Sequence, residues 1–82
     1  MDVREAVLAS AIRSRLSKDK RVGDLPVCTH MLDDVVYLIG RVDTLEQRDI
    51  VEFIVKGTPG VKKVNTDELE VRELSRLRNK AA

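Results

Sequence analysis

Two apolar runs separated by a pair of aspartates constrain this chain more than any other feature. Leu25 to Leu32 and Val35 to Val42 flank Asp33-Asp34. Two residues is the preferred length of a hairpin loop, because the tight primed turns match the twist of the strands they join. Aspartate tolerates the positive φ of such a turn, though less comfortably than glycine. Gly40 falls inside the second run and marks a bulge or a close backbone approach.

The sequence on either side supplies two amphipathic helices. From Val3 to Leu16, Leu8, Ile12 and Leu16 recur at i, i+4 and i+8, with Val7 and Ala11 widening the stripe. Arg4, Glu5, Ser10, Arg13 and Ser14 take the watery side, and Asp2 suits the helix start. Ser17 to Asp24 breaks the period. Thr44 followed by Gln47 forms a capping box that opens a second helix reaching Lys56. Its stripe is Val51, Ile54 and Val55, with Ile50 and Phe53 at the edges, and Gly57, Pro59 and Gly60 end it. Val61 to Val71 reads as a third strand.

The element order is therefore αββαβ. It implies an α+β two-layer sandwich, a three-stranded mixed sheet with both helices on one face and the other face left without a partner. The domain covers residues 1–72, and residues 73–82 form a short helical or frayed tail carrying Leu74 and Leu77.

Composition narrows the function classes. Eighty-two residues give one small core, worth about 3–5 kcal/mol, so association with a partner or a second copy is in keeping. Fifteen basic residues balance fourteen acidic ones, and there is one Tyr, one Phe and no Trp. Neither a basic excess nor stacking aromatics are present, which argues against nucleic acid. Cys28 is the sole cysteine and His30 the sole histidine, so no intrachain disulfide and no thiolate–imidazole zinc set can form. No cofactor is expected. No run approaches a membrane span and no signal peptide is present, so the chain as written reads as cytoplasmic.

The order of elements and their signature positions resemble the BON domain, the bacterial osmotic-shock protein and nodulation domain. Leu8, Ile12, Leu16 and Asp19 stand for its first helix and acidic loop, and Leu25 and Val27 for its first strand. Val36, Leu38, Gly40 and Val42 match its V-x-L-x-G-x-V strand. Val51 and Ile54 follow, then Pro59, Gly60, Val61 and Val64 as its P-G-V-x-x-V junction, then Leu69 and Val71. The resemblance covers about residues 4 to 72. It implies a non-enzymatic module that contacts phospholipid surfaces or partner proteins, often in the periplasm or envelope, which would require an export signal since removed. Three departures stand out. Asp34 replaces the usual turn glycine, one extra residue lies between Val64 and Leu69, and Tyr37 and Ile39 fill slots that are polar in the family.

Strand alternation puts Val36, Leu38 and Val42 on one face, and Val35, Tyr37 and Ile39 on the other. Cys28 and His30 join the second set from the first strand, with Leu32 beyond them. If the helices cover the first set, these residues form an open apolar face that marks a contact surface with a protein partner or a second copy. The rival expectation is that Leu74 and Leu77 fold back over that face.

Other features read as structure. His30 has no nearby nucleophile or carboxylate pair for catalysis, and Cys28 lacks a second thiol or evident base. Gly57-Thr58-Pro59-Gly60 has the spacing of a KH clamp but joins a helix to a strand, so it is a turn. Lys18, Lys20 and Arg21 after the first helix, with Lys62 and Lys63 after the second, would attract anionic lipid headgroups if the fold juxtaposed them. The alternative function is a self-assembling structural subunit, similar to the ring-building domains of secretion systems. No residue pair is set up for chemistry, and no enzyme is expected.

Overall fold

Ile12 and Leu16 are buried and Leu8 packs beside them, so the expected stripe forms the inner face of α1, Val3–Lys18. The computed structural model of the chain describes residues 3–74; Asp2 and Leu77 lie outside them. Helix α1 runs two residues past Leu16 and ends where the Asp19 carbonyl accepts from the N–H groups of Val22 and Gly23. Val7 is 63% exposed and no part of the stripe. One residue from Leu8 is about 100° round the helix axis, enough to turn Val7 outward.

Strands β1 (Val27–Leu32) and β2 (Val35–Val42) pair antiparallel, from Val27 opposite Gly40 to Leu32 opposite Val35. Asp33 and Asp34 both take positive φ, 51° and 67°, the backbone of a type I′ turn. Gly40, at φ 132°, is a close approach: a Cβ there would collide with the Pro26 carbonyl oxygen. Helix α2 (Leu45–Lys56) opens on the expected capping box, with the Gln47 N–H donating to Thr44 Oγ1 at 3.1 Å. Gly57 closes it in a right-handed conformation, so the positive φ of this turn falls on Gly60. Thr58 is buried, and its hydroxyl donates to the Ile54 carbonyl at 3.0 Å.

The last strand is interrupted. β3 (Lys63–Asn65) runs parallel to Val35–Tyr37, and β4 (Leu69–Val71) runs parallel to Gly40–Val42. Between the two pairings β2 advances from Tyr37 to Gly40 while its partner advances from Asn65 to Leu69, one residue more. The sheet therefore has four strands rather than three, the fourth filling the same edge position as the third. Asn65 is the physical reason. Its Oδ1 accepts from the Asp67 N–H at 2.9 Å, and the Thr66 carbonyl accepts from Leu69, so a side-chain-supported turn displaces the ladder.

Both helices cover the same face of the sheet. Val36, Leu38 and Val42 on β2 meet Ile12 from α1 and Val51 and Val55 from α2, all fully buried.

Candidate functional site: the open sheet face

The period of two that seals Val36, Leu38 and Val42 beneath the helices turns their neighbours to the other side. Cross-strand register then assembles them. Cys28 lies opposite Ile39, His30 opposite Tyr37, and Leu32 opposite Val35. Beyond β2, Asn65 extends the Tyr37 row and Lys63 extends the Val35 row. The five side chains singled out in the sequence, Cys28, His30, Val35, Tyr37 and Ile39, thus share one face. Leu32 is 55% exposed and Ile39 39%. Directly opposed pairs on one face have Cβ atoms about 5 Å apart, so these rows touch.

Charge is confined to the rim. No residue of the β1–β2 rows from Cys28 to Ile39 on this face carries formal charge at pH 7 with His neutral. Lys63 stands at one corner, and Arg41 faces Glu70 at 3.9 Å near the other end. The His30 row continues into Tyr37 and Asn65, hydrogen-bonding groups without a nucleophile–base pair. Among the described residues no three His, Cys, Asp or Glu side chains are grouped to hold a metal, and no helix is long and apolar enough to cross a membrane.

The chain leaving β4 turns toward the helix layer. Leu74 shares a shallow hollow with Arg48 of α2 and with Thr66, Leu69 and Val71, along the outer edge of β4 rather than over Tyr37. The second half of the expected cover, Leu77, lies outside the described residues.

The basic residues do not form one patch. Lys62 lines a hollow with Arg4, Glu5 and Leu8 at the start of α1, whereas Lys18 lies at the end of α1 beside Phe53 and Gly57. Fourteen residues of helix separate Arg4 from Lys18, roughly 20 Å along the axis. Lys63 points to the open face, away from Lys62, because neighbouring strand residues alternate. Lys20 is exposed in the loop after α1. Arg21 is committed to Asp19: Nε donates to Oδ1 at 3.1 Å and Nη2 to Oδ2 at 2.7 Å. These hydrogen bonds, reinforced by the Arg21 backbone N–H, hold the Asp19 carboxyl down at about 2 and raise the Arg21 guanidinium above its ordinary value.

Two features escaped the sequence reading. Phe53 is 78% exposed beside Arg15 and Lys18, and Asn65 both joins the open face and breaks the third strand. Asn-Thr-Asp, a turn-prone triplet, was the available signal for the second.

None of the curated proteins matches the chain. The family model of the BON domain matches residues 4–73, from the first turn of α1 to the residue that follows β4 by two. That span holds the whole sandwich, and the chain belongs to the BON domain family.

Proposed function

We propose that this BON domain is a non-catalytic attachment module that binds an apolar segment of a partner protein on its open sheet face. BON domains are binding domains for phospholipids or proteins, and the protein alternative suits this chain better. The observation that carries the reading is the face on which Cys28, His30, Leu32 and Ile39 are exposed and Val35 and Tyr37 half-buried, back to back with the fully buried Val36, Leu38 and Val42 of β2. Exposed apolar patches of this kind mark contact surfaces.

Size argues for the type of occupant. Six residues of strand and three strand positions define a face of roughly 20 by 14 Å, or about 300 Å². Any contact confined to such a face buries about 600 Å² in total, below the ~1,200 Å² of a stable interface, so attachment there is weak and reversible. One amphipathic helix of about twelve residues, ~18 Å long and ~10 Å wide, fits the face. Phospholipid is the weaker reading, because the basic residues lie at opposite ends of α1 and Arg21 is occupied by Asp19.

The test is selection of peptides from a random display library against the wild-type domain and against Tyr37→Ser with Ile39→Thr. Enrichment of amphipathic sequences by the wild type, lost in the double variant, is the expected result. Sedimentation with phosphatidylglycerol vesicles is run in parallel. Salt-sensitive vesicle binding indifferent to the double variant, with no peptide enriched, overturns the protein reading in favour of a membrane surface.

A further inference from the structure

The sandwich is sealed at β2 and unfinished at β1. On the helix-facing side Val36, Leu38 and Val42 of β2 are fully buried, while Val27, Thr29 and Met31 of β1 are only half-buried. A hollow of about 150 Å³ lies there between Arg13 and Ser17 of α1, the Val22–Leu25 stretch that enters β1, and Val27 and Thr29 of β1, with Val51 of α2 at its inner end. Helix α1 does not reach across the outer strand. Another strand placed beside β1 would shield all three half-buried side chains.

The two edges of the sheet are built differently. The β3–β4 edge consists of two three-residue strands broken by an extra residue and carrying Lys63 and Glu70. Shortness, bulging and charge are the devices that keep an edge from pairing with other chains. Strand β1 has none of them. It is six residues long, pairs with β2 in unbroken register, and reads Val-Cys-Thr-His-Met-Leu. Its outer backbone groups face no strand among the described residues, so they form a template for one more strand.

We infer that β1 pairs antiparallel with β1 of a second copy of this chain, around a two-fold axis near the middle of the strand. The inference does not depend on the partner assigned to the open face. Antiparallel pairing of identical strands satisfies two-fold symmetry, and the uncharged strand offers no like-charge penalty against itself. It also keeps the faces in phase, so Val27, Thr29 and Met31 of each copy extend the inner layer of the other.

The helix layer fits the same operation. Ala6, Ser10, Arg13 and Ser17 recur at i, i+4, i+7 and i+11 along one flank of α1, and Arg13 and Ser17 show that this flank overlooks the hollow beside β1. Three of the four are small, which lets α1 of one copy approach α1 of the other. An edge about 20 Å long and about 20 Å high gives roughly 400 Å² per copy, so the dimer is weak and depends on concentration. Because the axis stands perpendicular to the sheet, both open faces lie on the same side and merge into one of roughly 600 Å².

Sedimentation equilibrium from ~10 µM to ~1 mM, the range in which a small interface associates, tests this. The wild-type mass should rise toward twice the monomer, with cross-protomer backbone NOEs between β1 amides in a mixed-label sample. Thr29→Lys at the strand and Ser10→Lys on the exposed helix flank should each weaken association at least tenfold, while Tyr37→Ser with Ile39→Thr leaves it unchanged. Ser10→Lys and the wild-type NOEs decide the matter should Thr29→Lys fail to fold. A monomer throughout the range overturns the inference. So does a dimer that the Tyr37 and Ile39 changes dissolve and Ser10→Lys does not, because that dimer is face to face.

Discussion

The Glu73 side chain accepts a hydrogen bond from the backbone N–H of Leu45 at 3.1 Å, which clamps the segment leaving β4 to the first turn of α2. The Glu73 backbone N–H donates in turn to the Asp43 carbonyl at 3.0 Å, and Arg72 lies 3.6 Å from the Asp43 carboxylate. Leu45 is the first residue of α2, and its N–H has no acceptor within the helix. The carboxylate thus completes a cap that Thr44 and Gln47 begin.

Removing that carboxylate should loosen the C-terminal edge of the sheet together with α2. Glu73→Ala is expected to cost about 1 kcal/mol, the usual worth of a cap. Glu73→Gln, which keeps an acceptor but loses the favourable charge at the helix N-terminus, should cost a few tenths. Urea denaturation measures both as a lower midpoint at unchanged slope. Equal losses for the two variants would assign the whole effect to charge.

Gly40 should be far less tolerant. It combines a φ of 132° with a backbone so close to Pro26 that no Cβ fits, and the next N–H, that of Arg41, donates to the same Pro26 carbonyl at 3.1 Å. Gly40→Ala must therefore separate the chain entering β1 from β2. A cost of about 2–4 kcal/mol is expected. Most of the net stability of so small a domain would be lost, and the dispersion of its amide NMR spectrum should collapse.

How much of this was legible in the sequence depends on the range of the interaction. The open face was readable because its residues follow from a period of two, and the Asp33-Asp34 turn then fixes their register. The extra residue before Leu69 was readable by counting against the neighbouring pattern. Its consequence, two strands in place of one, depended on Asn65 supporting a turn and could not be counted. Val7 adjoins the half-buried Leu8, and Phe53 sits two positions from the buried Val51 and Val55, where an apolar stripe read from sequence has no sharp border. The Glu73 cap joins residues 28 apart in the chain, and no local pattern announces it. The separation of Lys18 from Lys62 is likewise tertiary, set by the path of α1 over the sheet.

Acid should release the loop after α1 late. Hydrogen bonds from the Arg21 side chain, then from its backbone, hold Asp19 at about 2 instead of 3.8. A carboxyl depressed in the folded state contributes stability that is complete above its unfolded value and is lost as pH falls through the folded one. The window is therefore from about 3.8 down to about 2. Carboxyl-detected NMR should show Asp19 titrating in that window, and Arg21→Gln should return the midpoint toward 3.8. An unchanged midpoint in Arg21→Gln would remove the guanidinium as the cause.

Asp34→Gly should stabilise the hairpin. Asp34 holds φ at 67° in the second central position of the turn, where glycine, having no Cβ, meets no clash. The left-handed region costs an ordinary L-residue about 1–2 kcal/mol, somewhat less for aspartate, whose short side chain bonds locally. Against that gain, glycine frees the unfolded chain, which offsets about 0.4–1 kcal/mol. The substitution also removes one of two adjacent negative charges at the tip. The net expectation is a gain of about 0.5 kcal/mol, seen as a higher urea midpoint at unchanged slope. Asp33→Gly should gain less, because Asp-Gly is a preferred pair for this turn and Gly-Asp keeps the side chain at the second position. A lower midpoint for Asp34→Gly would mean that the aspartate side chain, rather than its tolerance of positive φ, holds the turn.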